Sequence, residues 1–246
     1  MSARRLFALL ALGLLIAVPV SAQRRRAVRF PGPVAPAPQC HTFSFVRAGL
    51  KATYHSVAPG GTVDFTVTYI SDTPTQTRTT QKVTTAQGNA DVETTLDGEI
   101  VGILRALKHI YLKTTSVVPV LGNVVTETDI DFVPSLAAGP AAGWCTGATW
   151  TISPVTETVV TRSSLGTQTT VITTIVSQGE VLSVNESITV PGGTFNTVKH
   201  RGAIVSGESV QPAITWISKE HNIVVKQDTL DASGNVTSTT QLTALQ

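Results

Sequence analysis

The chain has 246 residues, of which 41% are hydrophobic, 14% are charged and only 5% are aromatic. Its formal net charge is +2, but six of its 18 lysines and arginines precede Cys40, which leaves 12 basic against 16 acidic residues in the rest of the chain. A nucleic-acid-binding domain needs a basic face, commonly with interleaved aromatic residues, and this acidic part lacks one. We therefore expect no nucleic acid as a partner.

Residues 1–22 have the three regions of a signal peptide. Arg4 and Arg5 precede an apolar run over residues 6–20, and the small residues Ser21 and Ala22 follow it. The run is shorter than the roughly 20 apolar residues of a membrane span. These features predict a protein that is secreted or periplasmic and not membrane-spanning.

Residues 23–39 are rich in arginine and proline and predict a flexible, extended linker. No comparable stretch interrupts residues 40–246, and their number is typical of one all-β domain. We therefore expect a single β-rich domain after the linker.

Alternating apolar and polar residues dominate that domain. Residues 63–69 alternate Val, Phe, Val and Tyr with Asp and Thr, which places the apolar set on one face of a strand. Similar threonine-rich runs, separated by glycine-containing turns, occupy Thr75–Thr85, Val124–Val133, Thr149–Arg162, Thr167–Ser177, Val181–Val190, Phe195–Val205, Gln211–Ser218, Asn222–Leu230 and Val236–Leu245. Because helical crossovers are missing, the pattern predicts a mainly β fold with a large curved antiparallel sheet, a half-barrel or open barrel.

One segment has a different period. Apolar residues over 99–112 recur near i, i+3 and i+4 spacing, which predicts one short covering helix of about three turns. Gly102 disfavours a helix, so a further buried strand is the open alternative at this position.

The two cysteines, Cys40 and Cys145, predict a disulfide, since an even pair in an exported chain is typically oxidised. His41 beside Cys40 raises the alternative of a metal site, but adjacent residues are poorly placed to bind one ion and no further ligand motif is present. We predict neither a metal nor a cofactor.

Three carboxylates, Glu127, Asp129 and Asp131, are spaced two apart and share one face of a predicted strand. They could bind a hard cation such as calcium. The commoner explanation is a solvated outer face, with Ile130 and Phe132 pointing inward.

No catalytic motif is visible. The five histidines fall in different predicted elements, and the chain has no nucleophile elbow, His-Glu-x-x-His helix or phosphate-binding glycine loop. We expect no enzyme, although a triad assembled in space leaves no sequence signal.

A resemblance rests on residues 190–195 (Val-Pro-Gly-Gly-Thr-Phe), Trp216 and residues 223–226 (Ile-Val-Val-Lys), preceded by residues 134–136 and 147–150. This order resembles a pattern of uncharacterised bacterial periplasmic proteins that are similar to the lipoprotein-carrier (LolA/LolB-like) half-barrels. The resemblance covers roughly residues 124–230. It departs where Asn222 replaces the usual glycine, which asparagine can do because it tolerates a left-handed turn.

The resemblance implies a curved sheet whose concave apolar face shelters acyl chains. The residues that could line this face are Phe65, Trp150, Val190, Phe195 and Trp216, with ordinary core packing as the alternative role for each.

The resulting hypothesis is an exported, non-catalytic binding protein that holds a lipid, an acyl chain or another apolar ligand, with a lipid or lipoprotein as its partner. The alternative is a structural or interaction protein of the envelope or cell surface, which docks onto an envelope protein and has no small-molecule ligand.

Overall fold

A computed structural model describes residues 39–85, 88–101, 104–118, 121–137, 139–206 and 209–246. The predicted signal peptide and all of the predicted linker except its last residue lie outside the described residues. Within these ranges the chain forms fifteen strands and no helix, and hence no helix that is long and apolar enough to cross a membrane. The strands are β1 (Cys40–His41), β2 (Lys51–Ala58), β3 (Gly61–Asp72), β4 (Gln76–Thr85), β5 (Gly88–Val101), β6 (Leu104–Val118), β7 (Gly122–Ala137), β8 (Trp144–Cys145), β9 (Thr149–Thr151), β10 (Val155–Ser163), β11 (Gln168–Val190), β12 (Gly193–Ser206), β13 (Ser209–Ser218), β14 (Val224–Leu230) and β15 (Val236–Leu245).

Twelve of these strands form one closed antiparallel barrel. Neighbouring strands run in the order β10-β7-β6-β5-β4-β3-β2-β15-β14-β13-β12-β11, and β10 also pairs with β11. This last ladder runs from Val155 opposite Ile175 to Arg162 opposite Gln168 and closes the ring. The predicted large antiparallel sheet is confirmed, and the curved sheet closes into a barrel.

The strands are connected differently at the two ends of the barrel. Six hairpins, β2–β3, β4–β5, β6–β7, β10–β11, β12–β13 and β14–β15, turn at one end, which we call the mouth. At the other end, which we call the base, lie the N-terminal segment 39–50 and the long connection between β7 and β10. These two segments are joined by the predicted disulfide between Cys40 and Cys145, which is confirmed.

The base is packed with large side chains. Phe43 and Trp144, which come from the two segments at the base, are 1% and 4% exposed and pack edge to face. Large inward-facing residues of the strands continue this core; among them are Tyr54, Phe65, Tyr69, Leu96, Leu107, Ile110, Ile130, Phe132 and Ile175. The base is therefore sealed by apolar packing.

Of the two alternatives left open for residues 99–112, the short covering helix is wrong and the further strand is confirmed. The described part of this segment belongs to strands β5 and β6, and Gly102 lies outside the described residues. Gly98 pairs with Leu107 while Asp97 pairs with His109, so Lys108 is an extra residue in a β-bulge. The bulge keeps Leu107 and Ile110 on the same inward face although they are three residues apart, which reproduces a helical spacing within a strand.

The glycine-containing turn predicted between the runs Thr167–Ser177 and Val181–Val190, at Gln178-Gly179, is also wrong, because β11 runs without interruption from residue 168 to residue 190. Gly179 instead makes room for the Trp150 ring of strand β9, which pairs with it. A Cβ atom at position 179 would lie 2.2 Å from Cζ2 of Trp150 and 2.5 Å from the carbonyl oxygen of Arg201. Glycine is required here by packing.

We predict that Gly179→Ala lowers the free energy of unfolding by about 1–3 kcal/mol, because the added methyl group must displace both an indole ring and backbone. Chemical denaturation measures the change. Gly60→Ala is the matched control, since no atom lies within 4 Å of a Cβ there and its φ is not positive. Equal stability of the two variants would contradict the packing role of Gly179.

Candidate functional site

The inward-facing wall changes character between the base and the mouth. In the mouth half, the residues that alternate inward are small or polar and only partly buried. We call this wall the upper lumen; its members are Val63, Thr114, Ser116, Thr126, Thr128, Val159, Thr161, Thr173, Ile204, Ser206, Gln211, Thr229 and Ser238.

The register shows that these residues face inward. Thr128 lies two residues before the buried Ile130 and pairs with Thr161, which follows Val159 in the same way. Directly paired residues point to the same side of a sheet. The upper lumen is therefore the continuation of the buried core face toward the mouth.

The upper lumen is open to solvent. Val159 pairs with Ile130 on one side and with Val171 on the other, so all three face the interior. Ile130 is 3% exposed, whereas Val171 is 47% exposed. The inward-facing residues toward the mouth thus fail to fill the space that they enclose.

Barrel size explains this space. Twelve strands spaced about 4.8 Å apart and tilted by about 40° give a circular barrel roughly 24 Å across between backbones, against about 16 Å for eight strands. Eight-stranded interiors are just wide enough for side chains to fill. Threonine and serine cannot fill the wider ring.

The wall of the upper lumen offers hydroxyl groups, amides and short aliphatic groups. The hydroxyl groups of Thr128 and Thr161 lie 3.3 Å apart, and Thr173 donates a hydrogen bond of 3.0 Å to Oε2 of Glu157. Glu157, which faces inward opposite Phe132, brings a carboxylate to the lower edge of this wall. The upper lumen itself carries no charged side chain.

Two further charges face the interior at the base and neutralise each other. Nη1 of Arg105 lies 2.9 Å from Oδ1 of Asp72, and both side chains are 5% exposed. The same nitrogen donates to Oγ1 of Thr77 at 2.6 Å, and the backbone N–H of Val46 donates to the Asp72 carboxylate. This buried pair joins β3, β4 and β6 to the N-terminal segment.

Four of the five residues predicted to line a ligand site come together in one cluster. Phe65, Val190 and Trp216 are buried in it, and Phe195 packs against it. Trp150 packs instead against the second cluster, with Phe43 and Trp144. The structure thus places these side chains toward the base, outside the upper lumen.

The contacts of two of these residues are those of packed side chains. Phe65 stacks on Tyr54 with ring centres 5.0 Å apart. Nε1 of Trp216 donates a 2.9 Å hydrogen bond to Glu186, and the ammonium groups of Lys199 and Lys226 lie 4.9 and 4.8 Å from its ring centre. Cation–π contacts of this kind hold the indole in place.

A groove of about 530 Å³ lies at the base; it is lined by His41, Thr194, Phe195, Asn196, Ser218, Lys219, Glu220 and His221. Phe195 and His221 meet edge to face at 6.3 Å. Burial, together with the nearby Lys219 ammonium group, lowers the pKa of His41. Predominantly polar and charged side chains line this groove, which therefore suits an apolar ligand poorly.

The carboxylate row on β7 lies on the outer face. Asp129 contacts Nε2 of His109 at 3.3 Å and Nη1 of Arg162 at 2.5 Å, and Tyr111 donates to Glu127 at 3.0 Å. In the part of the chain that the structure describes, no three His, Cys, Asp or Glu side chains are arranged to hold a metal ion. The solvated outer face is the interpretation that these contacts support, with Ile130 and Phe132 buried as expected.

Sequence reasoning missed a buried histidine. His200 packs between Trp144 and Trp150, with ring centres 5.3 and 5.8 Å away. Burial lowers the pKa of His200 to about 4. The imidazole is thus neutral in the folded protein at pH 7, and it belongs to the packing that seals the base.

Sequence reasoning also missed the upper lumen. Its signal is present in the threonine-rich runs, where both alternating faces carry small or hydroxylated residues toward the strand end. Such residues are equally common on solvated outer faces. The two-residue alternation alone therefore does not distinguish a face that lines a lumen from an exterior face.

No protein-family profile and no curated protein matches the chain. Two solved structures are similar to it. A candidate lipoprotein from Parabacteroides distasonis has a TM-score of 0.39 and 16% identity, and the alignment covers 85% of this chain and 100% of that one. A candidate exported protein with a YmcC-like fold from Bacteroides fragilis has a TM-score of 0.37 and 10% identity, with 84% and 100% covered. At these levels neither similarity carries an inference about this chain.

We predict that the free energy of unfolding falls by up to about 3 kcal/mol as the pH is lowered from about 6.5 to 4, because of His200. Its folded-state pKa lies below the unfolded value, so the unfolded chain binds the extra proton in this window and acid favours unfolding. Denaturant titrations at several pH values measure the slope, which His200→Phe should reduce. An unchanged slope in His200→Phe would contradict the assignment.

Proposed function

We propose that this is an exported, non-catalytic binding protein that holds an uncharged amphiphile, such as a lipid or an acyl chain, in the upper lumen. One observation carries the proposal. The inward-facing residues of the mouth half are partly exposed, although the ring around them is closed and the base beneath them is packed.

The composition of the wall supports an amphiphile. Val63, Val159 and Ile204, together with the methyl groups of the threonines, offer apolar contact to a chain. Burying each methylene group contributes about 0.8 kcal/mol. The hydroxyl groups of the same threonines can bond ester, amide or hydroxyl oxygens, which fixes the orientation of a ligand with few specific contacts.

The absence of charge within the upper lumen supports an uncharged ligand. A charged group that enters a low-dielectric cavity without a partner loses its hydration at high cost. Arg105, the cation that faces the interior at the base, is paired with Asp72, and Glu157 at the lower edge would repel an anion. A neutral headgroup avoids both costs.

Export is supported by the signal-like residues 1–22 and by the disulfide, which is typical of proteins that fold outside the cytosol. The resemblance to lipoprotein carriers makes the acyl chain of a lipoprotein one specific candidate ligand. The same resemblance favours the periplasm over the medium.

The proposal of a non-catalytic protein is supported by the placement of the histidine–carboxylate pairs. Nδ1 of His55 lies 2.6 Å from Asp64, but both side chains are exposed on the outer face, at 42% and 63%. His109 and Asp129 also lie on the outer face. Neither pair faces the upper lumen, and a third pair, His221 and Glu220 at 3.8 Å, lines the groove at the base.

We predict that Val171→Trp weakens ligand binding, because an indole at this inward position fills much of the upper lumen. The probe is N-phenyl-1-naphthylamine, whose fluorescence rises in apolar surroundings. We expect at least a tenfold weaker affinity than in the unsubstituted protein, since the probe loses most of its buried contacts.

The matched control is Ile172→Trp. Ile172 is the next residue on the same strand, is 67% exposed and faces outward, so its substitution leaves the lumen unchanged. Equal affinity of the two variants, or no binding by the unsubstituted protein, would contradict the proposal and favour an interaction protein without a small-molecule ligand.

A further inference from the structure

The groove at the base, which we call the base groove, is built from three parts of the chain that are distant in sequence. It is lined by His41 of β1, by residues 194–196 at the start of β12, and by residues 218–221 at the end of β13 and in the turn that follows. Its volume of about 530 Å³ is in the range of pockets that hold small molecules.

The turn that carries the charged lining residues is fixed from two sides. The backbone N–H of Lys219 donates a 3.0 Å hydrogen bond to the carbonyl oxygen of Asn196 on β12. Asn222 has the left-handed φ of 55°, its backbone N–H donates to the carbonyl oxygen of Ser218 at 2.9 Å, and its side-chain amide donates to that of Ser44. Attachment to both β12 and the N-terminal segment holds the lining side chains in place before a ligand binds.

The ammonium group of Lys219 brings an unneutralised positive charge to the base groove. It donates a 2.5 Å hydrogen bond to Oδ1 of Asn185, and an ammonium group has two further N–H donors. Lys199 and Lys226 each pair with a carboxylate. Within the described ranges Lys219 makes no such pair, and its charge instead contributes to the lowered pKa of His41.

The other polar lining groups are mainly hydrogen-bond donors. Nε2 of His41 is buried and has no hydrogen-bond partner among the described residues, although buried polar atoms usually have one. Asn196 adds a side-chain amide. Glu220 is the one carboxylate among the described lining residues; its side chain is 84% exposed, and Oε2 lies 3.8 Å from Nε2 of His221. Most of this carboxylate therefore lies in solvent.

An aromatic ring adjoins these donors. Phe195 is half-buried, and its ring meets the imidazole of His221 edge to face, with ring centres 6.3 Å apart. The base groove thus combines a cation and several donors with a single apolar surface.

We propose that the base groove binds a small organic monocarboxylate, with its carboxylate on Lys219 and Asn196 and its apolar part against Phe195. This site goes beyond the proposed lipid binding and is separate from the upper lumen. In the tautomer with its proton on Nε2, His41 supplies a further donor for a carboxylate oxygen.

The charge balance favours a monocarboxylate over other ligand classes. One ammonium group offsets one negative charge, whereas a phosphate monoester carries about −1.5 to −2 at pH 7 and Glu220 would repel the excess. A cation would meet Lys219. A purely apolar ligand would cover the donors without pairing them, which costs free energy.

The test is an NMR titration of the isotope-labelled mature chain with two acids. Phenylacetate represents a free small acid, and N-acetyl-L-phenylalanine represents the C-terminal residue of a peptide. We expect the backbone amide signals of Asn196, Lys219 and His221 to shift, and the acid that binds more tightly identifies which source of carboxylate the groove suits. N-acetyl-L-phenylalaninamide, which lacks the charge, should bind at least about fivefold more weakly than its acid.

Three variants test the assignment of the charges. Lys219→Gln should bind the acids at least about fivefold more weakly, since it removes the charged donor. Glu220→Gln should bind them at least as tightly as the unsubstituted protein, because a like charge is removed. The matched control is Lys82→Gln, an exposed position on β4, five strands away from β13 around the barrel, which should leave the affinity unchanged.

Several results would overturn the proposal. They are no binding of either acid by the unsubstituted protein, equal affinity for the acid and its amide, and equal affinities of Lys219→Gln and Lys82→Gln. A loss in Glu220→Gln as large as that in Lys219→Gln would also overturn it, because the groove would then recognise a cation or a zwitterion. An unchanged denaturation midpoint shows that Lys219→Gln is folded.

A cross-measurement separates the base groove from the upper lumen. Val171→Trp should keep the affinity for the acids, and Lys219→Gln should keep the affinity for N-phenyl-1-naphthylamine. Weaker acid binding in Val171→Trp would overturn the assignment of the carboxylate to the base groove.

Discussion

The ladder between β10 and β11 is the contact on which the rest of the structure depends. Eight residue pairs, from Val155 opposite Ile175 to Arg162 opposite Gln168, turn a curved sheet into a ring. Closure satisfies the backbone hydrogen bonds of two strands that would otherwise be open edges, and it divides every strand into an inward and an outward face. After residue 175 in the sequence, β11 separates from β10 and pairs with β9. This separation allows the connection that carries Trp144 and Trp150 to cover the base.

Closure with twelve strands sets a volume that the sequence fills at one end only. Tyrosine, phenylalanine, leucine and isoleucine side chains pack the base, and the buried Asp72–Arg105 pair holds the N-terminal segment there. Toward the mouth the same inward positions carry threonine, serine and valine. The barrel is consequently a cup with one entrance. The proposal for the lumen follows from this gradient in side-chain size.

The sequence predicts the strands well because alternation is a local property. The alternation at Val63–Tyr69, the turn between the runs Val181–Val190 and Phe195–Val205, and the disulfide are all confirmed. The errors arise where tertiary contacts determine local structure: the bulge at Lys108 imitates a helical period, and Gly179 serves the Trp150 ring where a turn was expected. The upper lumen could not be predicted, because whether Thr128 and Thr161 face a cavity depends on the pairing of β10 with β11, and that pairing has no sequence signal of its own.

One inward face of the barrel is open near the mouth and closed toward the base. Thr128 and Ile130 are neighbours on that face, and each replaced singly by cysteine reports on its own level of the lumen. The measurement is the rate of reaction of Thr128→Cys and Ile130→Cys with a polar maleimide in the folded protein, where the native cysteines are held in the disulfide. We predict rapid labelling at position 128 and labelling at position 130 only after unfolding. Protection at both positions, or equal rates at both, would contradict it.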